Sequence, residues 1–136
     1  MARAFAMRLA HLGLPVEVLG ETTTPPVDQG DTLVAVSGSG TTHSTVHAAQ
    51  TASDQGLWVV AVTSDPGSPL ARVADRTLVI PAATKWRRPG EPATEQPLGS
   101  LFDQACHLVL DAVCLHLARR TGTDNRQART RHASIE

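Results

Sequence analysis

Leu33-Val34-Ala35-Val36-Ser37-Gly38-Ser39-Gly40-Thr41-Thr42-His43-Ser44 runs from an unbroken apolar segment into a cluster of hydroxyls and glycines. The apolar part, residues 33–36, has strand length and no alternation, the pattern of a strand buried on both faces of a parallel sheet. Behind the cluster, Val46, Ala49 and Ala52 fall at helical spacing and the segment closes at Gly56, so the stretch reads as strand, loop and helix.

Working outward, the same alternation repeats. Phe5, Leu9 and Leu12 lie on one helical stripe ending at Gly13, and residues 16–19 read as a short strand. Residues 22–30 form a Pro- and Thr-rich connection. Residues 58–62 are a second buried strand, Ser64-Asp65-Pro66-Gly67 a turn, Leu70 and Val73 a short helix, and residues 77–80 a further strand stopped by Pro81. Helices alternating with all-apolar strands predict an α/β protein, a three-layer αβα sandwich around a parallel sheet. Residues 81–97 hold four prolines and mixed charges and are expected to form a long mobile loop. A helix over residues 98–120 is expected to bury Leu101, Phe102, Ala105, Leu108, Val109, Ala112 and Val113. The tail beyond Gly122 is polar and basic up to His132.

Composition excludes several classes of function. The 136 residues carry a formal net charge of −1, which supplies no chain-wide basic field for nucleic acid. No uninterrupted apolar run approaches the roughly 18 residues of a spanning helix, and the N-terminal segment lacks the pattern of a secretory signal. A cytoplasmic location, with no membrane and no nucleic-acid partner, is the expectation. Cys106 and Cys114 stand eight positions apart on one helix, roughly 12 Å along its axis, so they read as core thiols and not as a disulfide.

In an open parallel sheet, ligands gather beyond the carboxyl ends of the strands, where a helix N-terminus offers unpaired amides and a positive dipole end. Residues 37–44 occupy that place. Gly38 and Gly40 permit a tight turn with inward amides, and Ser37, Ser39, Thr42 and Ser44 add hydroxyls, a donor set suited to a phosphate monoester. No lysine stands at the P-loop position, which argues against a nucleoside triphosphate. The alternative is a plain turn in which Thr42 caps the helix.

VSGSGTT (36–42), VTSDPGSPLARVAD (62–75), VIPAATK (79–85), QPLGSLFDQ (96–104) and RHASIE (131–136), with RAFAMRLAHLG and GETTTP before them, together resemble the sugar isomerase (SIS) domain of the 6-phospho-3-hexuloisomerases. The resemblance covers nearly the whole chain as a single domain, 1–136, of flavodoxin-like type. It implies interconversion of D-arabino-hex-3-ulose 6-phosphate and D-fructose 6-phosphate, the second step of formaldehyde fixation through ribulose monophosphate. It also implies a homo-oligomer, a tetramer or dimer, with shared active sites. Two departures stand out. The family's first strand and its Gly-rich GAGRSG-type loop precede the segment that opens here, giving the expectation of roughly 40 to 50 further upstream residues in the native protein. Thr41 replaces the Glu of the family's SGSGET.

Moving a carbonyl from C3 to C2 needs a general base and a group to stabilise an enediolate, and requires no metal or cofactor. By the resemblance, Ser37, Gly38, Ser39, Gly40 and Thr42 hold the phosphate, Asp103 is the base where the family has Glu, and His132 in the tail (123–136) assists. Asp103 reads otherwise as an acid favoured by a helix dipole, and His132 as one solvated histidine. His43 and His47, at i and i+4, have metal-pair spacing but no acidic or cysteine partner nearby. Lys85 is placed to approach the phosphate or to remain a surface lysine, and Trp86 to cover an apolar patch. Two rival readings keep the same loop: a sugar-phosphate sensor without catalysis, and another phosphosugar isomerase such as one acting on arabinose 5-phosphate.

Overall fold

A computed structural model describes residues 1–133. The chain divides into two compact units, Met1–Pro25 with His107–Glu136, and Pro26–Cys106.

The second unit holds three parallel strands, β1 (Thr32–Val36), β2 (Trp58–Thr63) and β3 (Arg76–Val79), in the order β1-β2-β3. Thr32 pairs with Trp58 and Val60 with Arg76, so the carboxyl ends of the strands lie side by side. Helix α2 (His43–Asp54) connects β1 to β2, and α3 (Pro69–Val73) connects β2 to β3. Two crossovers running the same way across a sheet place their helices on one face, because such connections are right-handed. Ala35, Val59 and Ala61 on that face meet Ala49, Ala52, Leu57 and Leu70, and the many alanines allow the helices to sit close. On the other face Val62 is buried, whereas Val34 and Trp58 keep 37% and 47% of their surface. That face is therefore less completely covered than an all-apolar strand predicts.

Residues 16–19 are not a strand. A strand exists through its hydrogen-bonded neighbour, and the carbonyl of Val18 is instead taken by Glu21 N–H at 3.2 Å and Thr24 Oγ1 at 2.9 Å, which makes a turn.

In the first unit, α1 (Ala2–His11) pairs with the second half of α4 (Ser100–Thr121) through Arg8 and Asp111, 2.5 Å apart. Helix α5 (Asn125–Thr130) follows, in the polar and basic tail. Its start is fixed by a capping box, Gln127 N–H donating to Asp124 Oδ1 at 2.7 Å and Asp124 N–H to Gln127 Oε1 at 2.9 Å.

Helix α4 buries Phe102, Cys106, Leu110 and Cys114, each four residues from the last, while Leu108, at 70% exposure, and Ala112 face outward. The expected stripe was rotated because α4 is apolar nearly all round, so periodicity alone does not choose its inner side. By length and composition α4 also qualifies as a membrane-crossing helix, with a mean hydropathy of 1.3 over 18 residues. Interruptions by Gln104, His107 and Asp111 hide this from a search for unbroken apolar runs, and a core helix has the same profile. Both cysteines are free thiols, and burial pushes their pKa up, as expected of inert core groups.

Candidate active site at the carboxyl end of the sheet

The loop between β1 and α2 is built from short-range contacts. Ser37 N–H donates to Val62 O at 3.0 Å, extending the β1–β2 ladder by one rung, and Gly40 N–H turns back to Ser37 O at 3.0 Å. Gly40 has φ +63°, and a Cβ there would stand 2.0 Å from Ser68 Oγ, so only glycine fits. Gly38 is constrained differently: a Cβ would lie 2.9 Å from the ring of Phe102. That close approach fastens the start of α4 against the loop, and with it Asp103 in the first helical turn.

Ser37 Oγ and Thr42 Oγ1 are 2.9 Å apart, and Ser39 Oγ and Thr41 Oγ1 are 2.8 Å apart. Thr42 is the N-cap residue of α2, yet its side chain accepts no capping hydrogen bond. Capping was the main alternative role for this hydroxyl, and its direction toward Ser37 leaves the first amides of α2 without a side-chain cap. The loop thus presents a helix N-terminus, two hydroxyl pairs and no side-chain charge of its own, an arrangement able to receive an anion through neutral donors.

The β2–α3 turn is joined to this loop. The carbonyl of Gly38 accepts from Ser64 N–H at 2.9 Å, Ser64 Oγ at 2.8 Å and Thr63 Oγ1 at 3.1 Å, and Leu70 N–H reaches Gly40 O at 3.1 Å. Residues 81–97, expected to be mobile, lack regular structure but are held by many hydrogen bonds. Thr84 N–H and Oγ1 donate to the two carboxylate oxygens of Glu91 at 2.8 and 2.7 Å. Arg87 donates to the carbonyls of Thr84, Gln96 and Leu98, and Arg88 Nη1 reaches Asp65 Oδ2 at 2.6 Å. Burial pushes the Glu91 carboxyl up, but the Thr84 donors and the nearby Arg88 charge outweigh it and hold its pKa below the ordinary value.

Asp103 is exposed, and among the described residues no hydrogen bond or ion pair engages its carboxylate. It belongs to the same unit as the loop. His132 lies in the other unit, stacked on His11 with ring centroids 5.0 Å apart. The end of the tail, Ser134, Ile135 and Glu136, lies outside the described residues. Lys85 sits over the Trp86 ring at 4.7 Å as a surface lysine, and Trp86 is 57% exposed. The rings of His43 and His47 stack 6.3 Å apart. A concavity of about 610 Å³, lined by Thr32, Trp58 and Asp75 among others, opens at the amino ends of the strands, away from this chemistry. Sequence reasoning missed the Asp65–Arg88 pair, whose partners are separated by 23 residues and carry no local signal.

Residues 1–93 match the model of the SIS domain family, and the chain belongs to that family. A 3-hexulose-6-phosphate isomerase of Mycobacterium gastri is 45% identical over 98% of this chain and 67% of its own length. One of Bacillus subtilis is 40% identical over the whole chain and 74% of its own length. A Methanococcus jannaschii crystal structure, whose authors infer a 3-hexulose-6-phosphate isomerase function, superposes with a TM-score of 0.86 at 30% identity, covering 98% of this chain and 71% of that one.

Proposed function

We propose that the chain is an isomerase that interconverts D-arabino-hex-3-ulose 6-phosphate and D-fructose 6-phosphate. The observation that carries the reading is the uncapped, hydroxyl-lined loop at residues 37–42, fastened through Gly38 and Phe102 to the helix that bears Asp103. Relatives of that activity at 40 and 45% identity support it independently.

Ser37, Ser39 and Thr42, with the amides around Gly38 and Gly40, hold the phosphate and leave the sugar chain to extend toward α4. The Asp103 carboxylate removes the C2 proton of the 3-ketose, and the electron pair moves into a C2–C3 double bond, giving a 2,3-enediolate. Delivery of a proton to C3 and transfer of the O2 proton to O3 complete the change, so the carbonyl leaves C3 and appears at C2 with no net gain or loss of atoms. A carboxylate and a group of near-neutral pKa suffice for such transfers, and His132 is assigned the assisting role. No metal or other cofactor enters. The enzyme works in the cytoplasm as a homo-oligomer, a dimer or tetramer, to which the tail contributes.

The test is an assay of the purified chain with the 3-hexulose 6-phosphate, followed by proton exchange at C2 in deuterated water. Turnover with deuterium incorporation is expected. Ligand binding without exchange would reassign the chain as a sensor. His132→Ala is expected to slow turnover less than Asp103→Asn.

A further inference from the structure

A phosphate monoester brings nearly two negative charges at neutral pH, and the loop at residues 37–44 answers them only with neutral donors and a helix dipole. Most cations of the same unit are committed elsewhere. Arg76 stacks on Trp58 at the amino end of the sheet, with its guanidinium 5.6 Å from the ring centre. Arg72 lies in the last turn of α3, which leads away from the carboxyl end. Lys85 covers Trp86, and Arg87 is bound to three backbone carbonyls.

Arg88 differs. Asp65 follows Ser64, whose N–H and hydroxyl both bond to Gly38 O, so the backbone at Asp65 is tied next to the loop at residues 37–44. Asp65 is itself fixed: Gly67 N–H donates to its Oδ1 at 2.8 Å, leaving Oδ2 for Arg88 at 2.6 Å. The base of Arg88 is fixed as well, because Glu91 N–H returns to Arg88 O at 3.1 Å while the Glu91 carboxylate grips Thr84. A guanidinium has five N–H donors in a rigid fork. One of them is used on Asp65, and the half-buried side chain keeps 35% of its surface.

We propose that Arg88 is the cation that contacts the substrate phosphate, with Asp65 as the positioning residue that carries it to the loop. This rests on the phosphate-loop reading above and adds the charge that reading lacks. It explains why a carboxylate, which by itself repels an anion, is built next to an anion seat: it exchanges some field for a defined direction of the guanidinium.

Calorimetry of the full chain with fructose 6-phosphate, and separately with inorganic phosphate, at low and high salt tests the proposal. Arg88→Gln is expected to weaken both ligands about tenfold and to flatten the salt dependence. Arg88→Lys keeps the charge and is expected to retain part of the affinity. Asp65→Asn decides between field and position: removal of a negative charge alone would tighten anion binding, whereas loss of positioning weakens it. Weaker binding by Asp65→Asn together with partial rescue in Arg88→Lys supports the proposal. Affinity of Arg88→Gln within about twofold of the parent, or tighter binding by Asp65→Asn, overturns it. If the parent binds inorganic phosphate but not fructose 6-phosphate, the hexulose reading fails while the Arg88 comparison proceeds on phosphate; binding of neither overturns both. Loss of affinity in Arg88→Gln beside an unaffected Ser39→Ala, Thr42→Ala double variant would place the phosphate elsewhere and overturn the shared site.

Discussion

The two loops that leave the carboxyl ends of β1 and β3 are built in opposite ways. Residues 37–44 pair their own side chains within five positions, Thr63 and Ser64 reach in only to the Gly38 carbonyl, and all the participants are neutral. Residues 81–98 are held by charged side chains reaching across 7, 9, 11 and 23 positions, through Glu91, Arg87 and Arg88. A seat for an anion can be made locally because backbone amides, glycines and hydroxyls are already adjacent in the chain. Placing charge around that seat needs partners that only the folded chain brings together. In the proposed reading the first loop holds the ligand, and the second sets the field and leads into α4.

The largest effect is expected where the second loop delivers its residue for chemistry. Asp103→Asn removes a base but keeps shape, and turnover is expected to fall about a hundredfold or more, with fructose 6-phosphate affinity little changed. C2 proton exchange followed by NMR is the measurement. Exchange at the parent rate would remove Asp103 from the mechanism and leave the second loop as frame alone.

Next comes the seat itself. Ser39→Ala combined with Thr42→Ala takes one hydroxyl from each pair and is expected to weaken fructose 6-phosphate binding about tenfold or more, since hydrogen bonds to a charged group are worth roughly 1.5–3 kcal/mol each. Circular dichroism should be unchanged, as Ser39 and Thr42 are not core residues. Parent affinity by calorimetry would dissolve the contrast between the loops.

Gly40→Ala tests the geometry without touching a donor. The left-handed backbone and the 2.0 Å approach to Ser68 Oγ leave no room for a methyl group, and a loss of about 2 kcal/mol of stability is expected. Denaturant unfolding measures it, and an unshifted midpoint would mean that the turn has another conformation open to it.

The strands behind this contrast are legible in the sequence, and the ties of the second loop are not. The apolar runs at residues 33–36 and 58–62 have one stable use in a chain of alternating helices, and the loop after the first stands out because its glycines and hydroxyls are adjacent in the chain. Residues 16–19 misled because four apolar-rich residues carry strand propensity whether or not a neighbour exists to pair with them; the turn bonds at Val18 decided otherwise. The inner face of α4 was misjudged because leucines and alanines surround the helix, and packing, not periodicity, chose Phe102, Cys106, Leu110 and Cys114. The long prolines-and-charges segment read as mobile because its ties, from Glu91 to Thr84 and from Arg88 to Asp65, are tertiary and leave no pattern in composition.

The smallest expected effect tests that last point. The Glu91 pKa is held below its ordinary value, so its contribution is fully present above the unfolded value, about 4.3, and is lost as pH falls through the lower folded value. Melting temperature measured against pH should therefore drop on acidification below about pH 4 more steeply in the parent than in Glu91→Gln. The amide keeps an acceptor for Thr84 N–H and turns a donor toward Thr84 Oγ1, which can accept, so the neutral-pH loss is expected to be small and the two curves to converge in acid. Because Arg88 springs from the same turn, Glu91→Gln should also raise the fructose 6-phosphate dissociation constant slightly, in the direction of Arg88→Gln but well short of it. Parallel melting curves across the acid range would show that the clasp at Thr84 does not hold the second loop, and the contrast between a local seat and a long-range frame would then rest on Arg87 and the Asp65–Arg88 pair alone.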